Sequence, residues 1–178
     1  AGPLYAAGSM AYIRKETELN LTSADDLVAS GDAAGLGVKG QSVGLKTGGV
    51  VVKEISFNNP APAQNAVFVS TFSLAGLADG LYYLLYKAVD VLENTESTRI
   101  STAALDNTAP VTAHHIGSPY YTAGGVNYIT PATPVTFTAG DPAVNAVASG
   151  VNRVEVSVDG APFTVNTSTL NLAEGRHD

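Results

Sequence analysis

The sequence predicts an all-β protein built as two tandem β-sandwiches, of which the second is incomplete. Three observations lead to this fold class: the composition, a strand-like alternation of apolar and polar residues, and an internal repeat. Only 14% of the 178 residues are charged, whereas 18 are glycine and 9 are proline. Such a composition favours short strands joined by turns over charged amphipathic helices. With 45% hydrophobic residues, the chain has enough apolar side chains for a buried core.

Several segments alternate with the period of two that is expected of a strand with one buried face. The run "VEVSVDG" from Val154 shows this alternation, and its Asp-Gly pair predicts a hairpin turn. The run "LYYLLYKAVD" from Leu81 is apolar on both faces. We assign the face that carries Tyr82 to the core and expect the other face to be covered by a further segment of the first domain or by a partner. A short helix over residues 23–30, with Ser23 as its cap, is the one helical candidate.

An internal repeat is the strongest signal in the sequence. The segment "GPLYAAGSMAYI" from Gly2 returns as "SPYYTAGGVNYI" from Ser118, which lies 116 positions later. Shared residues at this spacing include Pro, Tyr and Gly and the pair Tyr-Ile. Chance is a poor explanation of so many matches in one ungapped window. The chain therefore contains two copies of one structural unit.

A second pair of matched segments locates the difference between the copies. "LADG" from Leu77 and "LAEG" from Leu172 are only 95 positions apart, so the first copy has about 21 additional residues between the two anchors. The proline-containing segment "LDNTAPVT" lies between the copies and is typical of a stiff junction. We therefore predict one domain over residues 1–108 and a second domain over residues 109–178.

The second copy lacks the last two strands that the first copy predicts. Its segment "LNLAEGRHD" reaches only the start of the strand that follows "LADG" in the first copy. In a sandwich these two strands are neighbours in one sheet, and their loss exposes strand edges and half of a core. We expect one of two explanations: the natural polypeptide continues, or another chain donates the missing strands by β-augmentation.

Two long segments carry a family likeness. "LADGLYYLLYKAVDVLENTE…STAALDNTAPVT" resembles the end, and "YITPATPVTFTAGDP…ASGVNRVEVSVDG" the start, of the tandem Ig-like repeats of large bacterial secreted and cell-surface proteins. This family includes the repeats of leptospiral outer-membrane repeat proteins, and similar modules are found beside the catalytic domains of secreted glycosidases. The resemblance implies two extracellular Ig-like β-sandwiches without an active site. The segment "SADDLVASGDAAGLG" departs from the pattern of these repeats.

Charge and motifs exclude several classes of function. A formal net charge of −7 disfavours nucleic-acid binding, which needs a surface rich in Lys and Arg. Since the chain has no cysteine, it has neither disulfides nor thiolate metal sites nor a Cys nucleophile. No apolar run is long enough for a transmembrane segment. The nucleophile-elbow and paired-histidine motifs are absent from the sequence, and we predict that the protein is not an enzyme.

Calcium is the one cofactor for which the sequence offers candidates. Asp90 and Asn94 stand at the turn after the long apolar run. In the structural interpretation, the Asp90 carboxylate accepts backbone N–H bonds and so caps the turn. In the alternative, it belongs to a group of oxygen ligands of the kind that Ca²⁺ prefers. Further candidate ligands are either Asp25, Asp26 and Asp32 or, at the junction between the copies, Asp106 and Asn107.

Three tyrosines and two adjacent histidines are further candidate ligand-binding residues. Tyr120, Tyr121 and Tyr128 are candidates for stacking against a sugar ring. Because the first copy has tyrosines at two of these matched positions, a core or interface role is the alternative. His114 and His115 are adjacent on a predicted strand and point to opposite faces, which is unfavourable for binding one metal ion.

Together these observations predict a non-catalytic extracellular structural module, such as the stalk, spacer or filament-building domains of a cell-surface protein with a role in adhesion. Its expected partners are neighbouring domains of the same polypeptide or copies of the same chain. Two alternatives remain open. One is a subunit of a self-assembling extracellular fibre that is completed by donated strands, and the other is an accessory carbohydrate-binding module of a secreted hydrolase.

Overall fold

The structure, a computed structural model, describes residues 4–25 and 35–177. Regular secondary structure within these residues is entirely β, which confirms the predicted all-β class. The strands are β1 (Leu4–Ala7), β2 (Met10–Ile13), β3 (Glu18–Ala24), β4 (Val38–Thr47), β5 (Val50–Asn58), β6 (Val67–Ser73), β7 (Gly80–Asp90), β8 (Arg99–Leu105), β9 (Val111–Ile116), β10 (Tyr120–Ala123), β11 (Val126–Ile129), β12 (Val135–Gly140), β13 (Glu155–Val156) and β14 (Thr164–Val165).

The chain divides into two compact units. Unit 1 comprises the residues up to Asn107 together with Ala143–Val147, and unit 2 comprises Thr108–Pro142 and the residues from Ala148 onward. The assignment of Ala143–Val147 to unit 1 was not expected from the sequence. Within unit 1, the Nδ2 atom of Asn145 donates a hydrogen bond of 2.7 Å to the backbone oxygen of Asp79.

Unit 1 consists of two facing β-sheets. The larger sheet has the strand order β1-β2-β8-β7-β4-β5, and the smaller sheet pairs β3 with β6. Strands β2 and β8 run parallel, whereas the other pairs of the larger sheet are antiparallel. Both sheets contribute buried side chains to one core, which is the arrangement of a two-layer sandwich. These core residues are Ile13, Leu21, Val43, Leu45, Phe72, Leu74, Tyr82 and Leu105.

The alternation along β7 predicted correctly which of its faces is buried. Tyr82 belongs to the core, and Leu84 and Tyr86 pack against it. On the other face, Tyr83 is 42% exposed. Its neighbour on this face, Leu85, lies opposite Ile100 of β8, which is 64% exposed. This second apolar face is therefore partly open to solvent in the described residues.

A buried glutamine connects the two sheets of unit 1. Gln41 on β4 is 2% exposed. Its Nε2 atom donates to Ser23 Oγ over 2.7 Å and to the backbone oxygen of Phe68 over 3.1 Å. Its Oε1 atom accepts a hydrogen bond from the hydroxyl of Ser70. Gln41 thereby connects the larger sheet to both β3 and β6.

The predicted helix over residues 23–30 is wrong at its start. Strand β3 continues through Ala24, and Ser23 and Ala24 pair with Phe68 and Val67 of β6. Instead of capping a helix, the Ser23 hydroxyl accepts a hydrogen bond from Gln41. The ladder of backbone hydrogen bonds with β6 outweighs the weak helical preference of so short a segment. The remainder of the predicted helix, from residue 26, lies outside the described residues.

The repeat is visible in the hairpin that begins each copy. Strands β1 and β2 pair Tyr5 with Tyr12, and β10 and β11 pair Tyr121 with Tyr128 in the same register. The ring centroids are 6.1 Å apart in the first pair and 6.4 Å apart in the second pair. The sequence match therefore corresponds to a match in local structure.

The turn after each hairpin is also repeated. In unit 1 the backbone N–H of Arg14 donates to Thr17 Oγ1 over 3.1 Å, and in unit 2 that of Thr130 donates to Thr133 Oγ1 over 3.0 Å. The backbone N–H of each threonine in turn donates to the residue three positions earlier, over 2.9 Å in both units. Both threonines are buried, so these hydrogen bonds satisfy groups that water does not reach.

An aspartate closes the next loop in both copies. Asp25 Oδ2 accepts from the backbone N–H of Gly37 over 3.0 Å, and Asp141 Oδ2 accepts from that of Gly150 over 2.6 Å. Val43 lies six residues after Gly37, and Val156 lies six residues after Gly150, so Val156 is the counterpart of Val43. The correspondence therefore continues into β13, the counterpart of β4.

Unit 2 then diverges from unit 1. The hairpin of β4 and β5 has strands of 10 and 9 residues, whereas β13 and β14 have 2 residues each. The predicted turn at Asp159-Gly160 is confirmed, since both residues have the positive φ angles, 55° and 71°, that a type I′ turn requires. Among the described residues of unit 2, Val135 is the one buried hydrophobic side chain. Unit 2 therefore buries a much smaller core than unit 1.

We expect Gln41→Leu to lower the free energy of unfolding of unit 1 by ~1–3 kcal/mol, because the Ser23 and Ser70 hydroxyls lose a buried partner. Denaturant unfolding measures this change. Ser42→Ala, at the next position of β4, is the control, since its hydroxyl lies on the exposed side 3.1 Å from Ser56 Oγ. Equal losses in the two variants would contradict a role of Gln41 between the sheets.

Candidate functional site: the cleft at the end of strand β7

Three of the calcium candidates line one cleft of unit 1. Asp25, Asp90 and Asn94 surround a cavity of about 490 Å³ at the end of β7. Two further charged side chains, Glu96 and Arg99, also line this cavity. The fold therefore brings these three candidate residues from separate parts of the sequence to one cleft.

The Asp90 carboxylate is fully engaged by the turn that follows β7. Its Oδ1 atom accepts from the backbone N–H of Asn94 over 2.8 Å, and its Oδ2 atom accepts from Asn94 Nδ2 over 2.7 Å. The bond from the backbone N–H is of the kind that the turn-capping interpretation predicts, whereas the bond from the Asn94 side chain was not predicted. The side-chain hydrogen bond from Asn94, followed by backbone hydrogen bonds from Asn94 and Leu92, lowers the pKa of Asp90 below its ordinary value despite an opposing effect of desolvation.

The other carboxylates of the cleft have protein partners as well. Asp25 accepts from Gly37 N–H. Glu96 pairs with Arg99, and its Oε2 atom accepts from the backbone N–H of Ala88 over 3.2 Å. Within residues 4–25 and 35–177, no group of three or more His, Cys, Asp or Glu side chains is arranged to hold a metal ion. Two of the candidates, Asp26 and Asp32, lie outside the described residues.

Asp106 does not belong to this cleft. It follows β8, whose last residue, Leu105, pairs with Gly80 at the opposite end of β7 from Asp90. Gly80 and Asp90 are the two ends of the 11-residue strand β7 and lie ten residue steps apart, a span of ~33 Å. One cation therefore cannot bind both Asp90 and Asp106. The sequence did not show which strand ends would meet, and this is why the candidate group splits into two places.

A polar cluster that the sequence did not predict lies beside Asp106. The buried Asp79 accepts at Oδ1 from the backbone N–H of Asn107 over 2.9 Å and from its Nδ2 atom over 2.6 Å. Asn107 Oδ1 accepts from the backbone N–H of Lys15 over 2.8 Å. This Asp79–Asn107 cluster joins the corner before β7 to the ends of β2 and β8. The sequence signal that could have pointed to this cluster is the matched acidic residue of "LADG" and "LAEG", which is Asp79 in the first copy.

Tyr82, a core residue, also stabilises the corner before β7. Its hydroxyl donates over 2.8 Å to the backbone oxygen of Ala78, four residues earlier. Burial, and secondarily the charge of Asp79, raise the pKa of Tyr82 above its ordinary value. In unit 2, His177 takes the position of Tyr82, as the sequence alignment indicates, and its Nε2 atom lies 3.0 Å from the backbone oxygen of Ala173. A different ring thus makes the equivalent contact.

The three candidate sugar-binding tyrosines are exposed, but they do not form one surface. Tyr120, Tyr121 and Tyr128 are 56%, 69% and 58% exposed, so a core role for them is wrong. Tyr121 and Tyr128 are paired on one face of the hairpin. Tyr120 is adjacent to Tyr121 along the strand and therefore lies on the opposite face. His114 and His115 are also exposed, on β9.

Comparison with known proteins adds no relative: no family model, no curated protein and no solved structure matches this chain. The part of the chain that the structure describes contains no helix with the length and apolar character needed to cross a membrane.

We expect Asn94→Ala to raise the pKa of Asp90 toward its ordinary value, because the mutation removes the side-chain donor that contributes most to lowering it. Carboxyl chemical shifts followed by NMR as a function of pH measure this. Since the pKa of Asp90 is lowered in the folded state, its stabilising effect is present above the unfolded-state pKa and is lost as the pH falls through the folded-state pKa. Thr95→Ala is the control, and an equal change in both variants would argue against this assignment.

We expect Tyr82→Phe to destabilise unit 1 by ~1 kcal/mol, because the backbone oxygen of Ala78 loses its donor while the packing of the ring is kept. The matched control is Tyr83→Phe, which changes the neighbouring, exposed ring and should leave stability within ~0.5 kcal/mol of the unmodified chain. Thermal or denaturant unfolding compares the two. The interpretation fails if Tyr83→Phe costs as much as Tyr82→Phe.

Proposed function

We propose that the chain is a non-catalytic extracellular structural module, formed by two Ig-like domains that serve as the stalk, spacer or filament-building part of a cell-surface protein. The observation that carries the proposal is the strand order of unit 1. Ig-like sandwiches place the third, sixth and seventh strands of their fold in one sheet and the second and fifth strands in the other. Unit 1 has β4, β7 and β8 adjacent in its larger sheet and pairs β3 with β6 in the smaller one.

The corner before β7 supports the same proposal. Many Ig-like domains have a tyrosine near the start of their sixth strand whose hydroxyl binds the backbone a few residues upstream. Tyr82 makes this bond to Ala78. The tandem repetition of the hairpin and of the threonine turn agrees with a protein that extends by adding similar units.

A spacer is also consistent with how the polar groups of the cleft are used. Asp90, Asp25 and Glu96 each accept hydrogen bonds from groups of unit 1 itself. Carboxylates held in this way stabilise loops, whereas an acid–base catalyst needs a carboxyl group that is free to exchange a proton with a substrate.

A carbohydrate-binding module is the second candidate, and the exposed pair Tyr121 and Tyr128 favours it. Their rings lie 6.4 Å apart on a hairpin without charged residues, and accessible aromatic faces of this kind can stack against the apolar faces of sugar rings. The first copy has a similar pair in Tyr5 and Tyr12.

Two measurements test the proposed function. Antibodies raised against the purified chain should label intact source cells as strongly as permeabilised cells. Labelling that requires permeabilisation would overturn the extracellular assignment. On an array of neutral glycans, the chain should show no saturable binding. Saturable binding that is lost in Tyr121→Ala and in Tyr128→Ala, but kept in the control Tyr120→Ala, would favour the carbohydrate-binding module instead.

A further inference from the structure

We propose that His177 is a pH-dependent tether of unit 2, which holds the turn of the β13–β14 hairpin when its ring is protonated and releases the turn when the ring is neutral. The proposal goes beyond the proposed function, because it concerns a conformational change within one unit and applies to a stalk and to a binding module alike. Two contacts of the His177 ring carry it, together with the different residues that unit 1 has at the matched positions.

Both ring nitrogens of His177 face oxygen atoms. The Nδ1 atom lies 2.8 Å from Oδ2 of Asp159, which belongs to the turn between β13 and β14. The Nε2 atom lies 3.0 Å from the backbone oxygen of Ala173. The side chain of His177 is 21% exposed and that of Asp159 is 49% exposed, so water screens their contact only in part. The ring therefore joins the hairpin turn to the segment 173–177.

A neutral imidazole cannot donate a hydrogen bond to both of these oxygens. It carries one N–H group, and its other nitrogen presents a lone pair. Since a backbone carbonyl and an ionised carboxylate are acceptors only, the neutral ring leaves a nitrogen lone pair facing an oxygen lone pair. The imidazolium ion donates from both nitrogens, and its bond to Asp159 is also an ion pair. The arrangement of the two oxygens therefore favours the protonated ring.

Unit 1 makes the corresponding backbone contact without a group that titrates near neutral pH. Tyr82 stands at the position of His177, and its hydroxyl donates to the backbone oxygen of Ala78, also four residues earlier. Burial raises the pKa of Tyr82, so this hydroxyl keeps its proton in neutral solution. Lys46 and Asp159 each lie nine residues after the glycine that binds the loop-closing aspartate of their unit. The histidine and the carboxylate of unit 2 are thus both replaced at the matched positions of unit 1.

Histidine is the residue of these two segments whose charge changes near neutral pH. The other charged residues of the hairpin and of the chain around His177 are Arg153, Glu155, Glu174, Arg176 and Asp178, the last of which lies outside the described residues. Arg153 and Glu155 pair with each other over 2.9 Å. Carboxylate and guanidinium side chains ordinarily keep their charge between about pH 5.5 and about pH 8, whereas histidine titrates at about 6.5.

The direction of the pH effect follows from linkage. A proton that completes a second hydrogen bond is bound more tightly in the folded chain than in the unfolded chain. The tether is therefore strongest below about pH 6.5, where histidine is protonated even in an unfolded chain, and it is lost as the pH rises through the titration of the folded chain. Mild acid holds the hairpin turn against the segment 173–177, and alkaline solution releases it.

Amide hydrogen exchange and NMR of the unmodified chain test the tether. The reporters are amides of the β13–β14 hairpin, such as that of Asn166, which donates to Val154 over 2.9 Å. We expect them to be about two- to fivefold better protected at about pH 5.5 than at about pH 8, after correction for intrinsic exchange, which is the effect of a partly exposed ion pair. Both ring nitrogens of His177 should carry protons at the lower pH. Amides of the β4–β5 hairpin of unit 1 are the internal control and should not change.

Two variants separate the tether from other effects of pH. In Asp159→Asn, the proton dissociation constant of His177 should rise about two- to fivefold, because the carboxylate charge is removed while an acceptor oxygen is kept. In His177→Tyr, which introduces the side chain found at the matched position of unit 1, the protection of the hairpin should no longer depend on pH. His114 and His115 remain in both variants, so any pH dependence that they cause persists.

Three results would overturn the proposal: equal hairpin protection at the two pH values, the same pH dependence in His177→Tyr, or an unchanged titration of His177 in Asp159→Asn. The last measurement decides the question even if the tyrosine variant fails to fold. The same measurements are made on the chain extended by Gly-Ser-Gly-Ser after Asp178, in which the terminal carboxylate is further along the chain from His177. The pH effect should persist there, and its loss would also overturn the proposal.

Discussion

Strand β7 is the element on which unit 1 depends. It is paired along both edges, with β4 and with β8, and it contributes Tyr82 to the core. The corner before it holds the Asp79–Asn107 cluster, and the turn after it holds the bonds between Asp90 and Asn94. Loss of β7 would therefore remove the centre of the larger sheet, part of the core, and the polar contacts at both ends of the strand.

Polar groups inside unit 1 are tolerated because they are satisfied. Gln41 is as buried as the surrounding leucines, yet both ends of its amide have partners on β3 and β6. A buried amide of this kind favours one alignment of the two sheets, since any other alignment leaves donors and acceptors without partners. Unit 2 has Val154 at the corresponding position and lacks this connection. Among the described residues of unit 2, each sheet has two strands.

Much of the fold could be predicted because its signals are local. Alternation identified the buried face of β7, and ungapped identity identified the repeated segments that form the two hairpins. The helix over residues 23–30 was wrong at its start because pairing with a distant strand decided the conformation of Ser23 and Ala24. For the same reason the sequence offered Asp106 as an alternative ligand beside Asp90, although β7 separates the two residues. Contacts between distant strands, such as the one that gives Asp79 its partner, leave little trace in a single sequence.

The parallel pairing of β2 with β8 has a mechanical consequence. The chain enters β2 and leaves β8 at opposite ends of this strand pair, because the two strands run in the same direction. A force that pulls on both ends of unit 1 first separates β1 from β2, starting at the pair of Leu4 with Ile13. It then acts along the β2–β8 ladder in shear, so that the pairs from Ala11–Ala103 to Ile13–Leu105 must yield together. A strand pair loaded in this way resists stretching better than one that opens pair by pair.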